Sequence, residues 1–153
     1  MKKIILLMVA AVAFTFSQAS AQDYKNAAGL GIDFGNGQTL VGPSFKHFFN
    51  ANSAGQLDVL FGSHYTNIGA YYQYHFPIKG ANGLNLYAGG GPSIGLYSGG
   101  SEFLLRPMVG LDYKIPTTPI ALSFDWRPAV SLSNNGGDTF TPARFGLGFK
   151  FVF

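Results

Sequence analysis

Apolar and polar residues alternate with a period of two along most of this chain. The clearest case is the stretch ARFGLGFKFVF. There Ala143, Phe145, Leu147, Phe149, Phe151 and Phe153 fall on one face, and Arg144, Gly146, Gly148, Lys150 and Val152 on the other. Successive side chains of a strand point to opposite faces, so this period predicts strands rather than helices. Eight such segments can be read, over about 27–34, 39–49, 56–65, 68–76, 84–93, 102–113, 120–132 and 143–153. Clusters of Gly, Pro, Asn and Ser separate them, as turns require.

The charges sort by face. Asp33, Asp58, Glu102, Asp112 and Asp125, with Lys46, Arg106, Arg127, Arg144 and Lys150, all share the face that also carries many glycines. The opposite faces are apolar, and large aromatics stand near their ends (Phe34, Phe49, Tyr65, Phe76, Tyr113). A soluble sheet could use the same alternation with its apolar face inside. Charge of both signs among glycines on one face, and aromatic girdles on the other, fit the inverted arrangement of a membrane barrel. The segments are also about as long as a tilted spanning strand. The predicted fold is all-β: an eight-stranded antiparallel up-and-down transmembrane β-barrel with a polar, plugged interior. The ten charges then form an interior ion network, because an unpaired buried charge is costly.

The turns follow from this order. External loops are expected near 35–38, 66–67, 95–101 and 133–142, and periplasmic turns near 50–55, 77–83 and 114–119. A turn at Thr66–Asn67 pairs Tyr65 with Ile68 and brings Asp58 opposite His75. A hairpin around residues 114–119 brings Arg106 and Arg127 together, with Asp125 on the diagonal.

Composition adds location. Lys2 and Lys3, the apolar run from Ile4 to Phe16 and the small residues of Ala19-Ser20-Ala21 make a secretory signal peptide over 1–21, leaving 22–153 as the barrel domain. Without those two lysines, eight basic residues face seven acids, so the mature chain is close to neutral. No basic cluster is present, and no nucleic-acid partner is expected. The chain has no cysteine, which excludes disulfides and thiol chemistry. Three scattered histidines suggest no metal, and no cofactor is expected.

The signal peptide, the amphipathic strands and the aromatic end together resemble the small OmpA/OmpX-type outer-membrane barrels. The stretch YKIPTTPIALSFDWRP (Tyr113 to Pro128) is similar to the penultimate hairpin of many short outer-membrane barrel proteins. Phe149, Phe151 and Phe153 match the C-terminal pattern that resembles the signal read by the barrel-assembly machinery. The resemblance implies an outer-membrane location, membrane lipid and that machinery as partners, and a monomer.

The expected role is non-enzymatic and structural, in the cell envelope. A lipid-modifying enzyme, acting by lipid A acyl transfer, is the alternative; Asp58 and His75 are its candidate pair, since an Asp can orient a histidine base. Lipid A deacylase barrels use a His-x-Ser pair, and the nearest match is His64-Tyr65-Thr66, with threonine in the serine position. A narrow channel or a barrel binding a small ligand is the minor alternative. Eight strands enclose only enough room for side chains.

Overall fold

A computed structural model describes residues 24–133 and 139–153. The expected signal peptide and the predicted cleavage point lie outside the described residues, as does most of the loop expected over 133–142. The strands are β1 (Asn26–Gly35), β2 (Gln38–Phe48), β3 (Ser53–Phe61), β4 (Tyr65–Pro77), β5 (Leu84–Tyr97), β6 (Gly100–Lys114), β7 (Ile120–Trp126), β8 (Ala129–Ser131), β9 (Phe140–Thr141) and β10 (Phe145–Val152). Neighbours in sequence pair antiparallel from β1 to β7. β10 then pairs with both β7 and β1, which closes the ring. β8 prolongs β7 along β6, and β9 pairs with β8. The ten segments therefore make eight staves, and the fold is a closed eight-stranded antiparallel barrel. Closure of the ring removes the two open edges that a flat sheet would have along β1 and β10.

The faces are inverted relative to a soluble protein. Leu57, Phe61, Phe103, Phe124, Leu147 and Phe149 are exposed on the outside. Asp33, Lys46, Asp58, Arg106, Asp112, Asp125, Arg127, Arg144 and Lys150 are buried inside. Apolar contact inside is local: Tyr71, Tyr87 and Met108 pack together, and Leu40, Leu60 and Leu104 are buried nearer the Gly35 end.

One turn differs from expectation. The third hairpin reverses at Ser63–His64, where the Gly62 N–H donates to the Tyr65 carbonyl at 2.7 Å, and not at Thr66–Asn67. Val59 pairs with Ile68 and Leu60 with Asn67. Tyr65 accordingly opens β4 and turns inward, instead of ending the third strand in an outer girdle. The apolar pattern could not resolve the two turns. They differ by an even number of pairing steps, which leaves every residue of β4 from Ile68 onward on the same face.

The seventh stave breaks at Arg127–Pro128. Val109 pairs with Trp126 and Leu105 with Val130, so the unbroken register sets Pro107 opposite Pro128. Proline has no N–H to give a ladder, and pairing lapses there. Across the other side, Phe145 faces Trp126 whereas Thr141 faces Ala129. The eighth stave thus carries one extra residue, a β-bulge that reverses which face its residues use. Below it Arg144 points inward; above it Thr141 does.

Candidate functional site

The interior side chains form three tiers. At the end of the barrel where Asn26 pairs with Phe153, Lys46 Nζ is bonded to Asp112, which also accepts from Tyr24 Oη at 3.0 Å. Lys46 lies 5.1 Å from the centre of the Tyr87 ring. His75 stacks on Tyr87, with ring centres 5.1 Å apart, and packs on Phe48.

The middle tier centres on Arg127. Its Nε and Nη2 donate to Asp125 at 2.5 and 2.6 Å, a bidentate pair, and its Nη1 donates to Asp58 at 3.1 Å. Asp125 also accepts from Tyr87 Oη at 2.5 Å. Asp58 accepts from Ser44 Oγ at 2.6 Å and from Gln56 Nε2 at 3.0 Å. The face of Tyr71 lies 5.8 Å from the guanidinium. This carboxylate–guanidinium–carboxylate bridge ties β3 to β7 across the lumen. A planar fork with five donors can hold one acid bidentately and reach a second, a geometry that the point charge of a lysine lacks.

In the upper tier Asp33 lies between two arginines, with Arg106 Nη1 and Arg144 Nη2 each at 2.5 Å. Arg144 Nη1 also donates to the Gly35 carbonyl at 2.9 Å. Above them Tyr65 Oη donates to Glu102 at 2.8 Å.

Of the ten charges assigned to the network, nine are buried. Glu102 is the exception: it is half-exposed at the rim and has no ion-pair partner among the described residues. Lys150 is buried, yet no carboxylate among the described residues lies within the 4.0 Å of an ion pair. Arg106 engages Asp33, and Asp125 engages Arg127, so the two arginines serve different tiers through different acids.

The Asp58–His75 pair is not formed. Asp58 faces Gly69, and His75 faces Tyr87 on β5, because the β3–β4 turn lies earlier than expected. The polar neighbour of His75 is Gln73, 3.2 Å away, and Asp58 is taken by Arg127, Ser44 and Gln56. His64 is exposed at the hairpin tip, and Tyr65 turns inward toward Glu102. Among the described residues no group of three His, Asp or Glu side chains could hold a metal. Phe149 and Phe153 are exposed, Phe151 is half-buried, and the Phe153 backbone pairs with Asn26 on β1.

Tyr24, Gln56, Gln73 and Tyr87 also belong to the network. Position parity could have placed Gln56, Gln73 and Tyr87 inside. Tyr24 precedes the first period and carries no such signal.

Two glycines give the network its space. A Cβ on Gly146 would come within 2.3 Å of Arg127 Nε, and one on Gly148 within 2.3 Å of Ser123 Oγ and 2.7 Å of Lys150 Nζ. The Arg127 fork is held by two carboxylates and cannot swing aside. Gly146→Ala should therefore destabilise the barrel by about 1–3 kcal/mol, as overpacking does. Urea unfolding in detergent would measure this, and an unchanged midpoint would mean that Arg127 has a second resting position.

No protein-family model and no curated protein matches the chain. Solved structures do. The N-terminal β-barrel domain of Pseudomonas aeruginosa OprF matches at 18% identity and a TM-score of 0.56, over 84% of this chain and 100% of that one. Neisserial surface protein A matches at 18% identity and a TM-score of 0.49, over 84% and 94%. The likeness to the OprF domain is one of fold: this chain has the fold of an outer-membrane β-barrel.

Proposed function

We propose that the chain is an integral outer-membrane protein with a non-enzymatic, structural role in the cell envelope. The observation that carries this reading is the inversion of the barrel, with buried charge inside and large apolar side chains outside. An aqueous protein with Leu57, Phe61, Phe103 and Phe124 exposed together would associate through them; membrane lipid is the partner that such a surface fits. The barrel-assembly machinery would insert it, and Phe149 and Phe151 stand on the outward face where such a factor could read them. The salt-bridged tiers support a closed lumen over a channel. The separation of Asp58 from His75 removes the pair on which the acyl-transfer reading rested.

Cell fractionation with heat-modifiable gel mobility tests the proposal. The protein should enter the outer-membrane fraction and migrate differently before and after boiling. Recovery as a soluble periplasmic protein would overturn the location. Lipid A from cells overproducing the protein should carry unchanged acyl chains; an altered pattern would overturn the non-enzymatic role.

A further inference from the structure

The mouth at the Gly35 end holds a cavity of about 200 Å³. The irregularities of the seventh and eighth staves build it. Above the opposed prolines and the bulge, the side chains lining this side are Ala129, Ser131 and Thr141, all small. The volume equals that of roughly seven waters at about 30 Å³ each, enough for one small solute.

Its charge is divided. Arg106 and Arg144 line the cavity and share one carboxylate, Asp33, so the floor carries a surplus positive charge. Arg106 is 3% exposed, and its Nε has no hydrogen-bond partner among the described residues. Glu102 also lines the cavity; it receives one bond, from Tyr65, and no cation among the described residues lies within the 4.0 Å of an ion pair. Leu104 adds an apolar patch to the lining.

We infer that this vestibule binds a small zwitterion of free amino-acid size. Its carboxylate would lie toward Arg106 and Arg144, its ammonium toward Glu102, and its carbon chain against Leu104. Opposite charges fixed at separate points favour a ligand that carries both over an ion that carries one. The single ion leaves one wall unpaired and meets a like charge there.

The test is a titration of the purified, isotope-labelled protein in detergent micelles, followed by amide NMR shifts at Gln38, Glu102 and Thr141. The probes are alanine and its two halves, acetate and ethylammonium. Alanine should give saturable shifts, with an affinity about tenfold tighter than either half, a difference expected of one added charge contact. Glu102→Gln should weaken alanine and strengthen acetate, which then meets no like charge, so that the two bind alike. Leu104→Trp, which fills the cavity, should abolish saturable shifts. Glu102 is half-exposed at the rim, so an unchanged spectrum elsewhere verifies the fold of that variant. Shifts linear in concentration, acetate as tight as alanine, or indifference to Glu102→Gln would each overturn the inference.

Discussion

Replacing Arg127 by alanine should cost the barrel roughly 3–5 kcal/mol, the penalty for breaking a buried pair and leaving its partner charged. Here two carboxylates are left at once. Asp125 loses both bonds of its fork and keeps only Tyr87; Asp58 keeps Ser44 and Gln56. Urea titration in detergent micelles, followed by the single tryptophan, Trp126, reads the change beside the site. The cause can be separated from lost packing. Arg127→Met combined with Asp125→Asn should recover much of the loss, because it removes charge from both sides of the main pair. If the double variant is no better than Arg127→Met alone, the unpaired charge of Asp125 is not the source of the loss.

The second large effect lies on the opposite face. Leu147→Arg should lower folding stability in lipid by about 2–4 kcal/mol, the cost of a cation at the bilayer midplane. Leu147 is exposed and lies between Ile32 of β1 and Phe124 of β7, so no interior acid can reach it. Folding into phospholipid vesicles, scored by gel mobility, measures the cost. Thr139→Arg, at an exposed site beyond the strands, is the control and should change little. Equal folding of the two variants would mean that the aliphatic face does not meet lipid.

These two residues show what could be read from the sequence and why. Arg127 and Leu147 are assigned to opposite faces by parity alone, because a strand alternates and charge and aliphatic side chains separate the two phases. Parity does not give register. The hairpin at Ser63–His64 and one at Thr66–Asn67 bury the same β4 residues, yet one sets Asp58 against Gly69 and the other against His75. A catalytic pair is a statement about register, so it was the part most open to error. Leu40, Leu60 and Leu104 were harder still, because leucine inside a polar lumen contradicts the rule that sorts the faces. The vestibule could not be foreseen, since it arises from Pro107 and Pro128 meeting across two staves.

That meeting divides the barrel's cooperativity. Elsewhere the ladders lapse only briefly, at Gly42–Pro43 between β2 and β3 and at Gly91–Pro92 between β4 and β5 among the described residues, and resume in the same register on both sides. Above the prolines, among the described residues, β8 holds to β6 through two register pairs, Leu104 with Ser131 and Leu105 with Val130, continued by the Leu132 N–H to the Phe103 carbonyl, and to β9 through two more pairs. A corner attached by so few bonds can detach at a fraction of the global free energy, as local foldons do. The lower staves then stay zipped while this corner breathes. Amide exchange at Val130 and Phe140 should therefore be faster than in β1 and β10, although a single sheet makes both the tube and its lip.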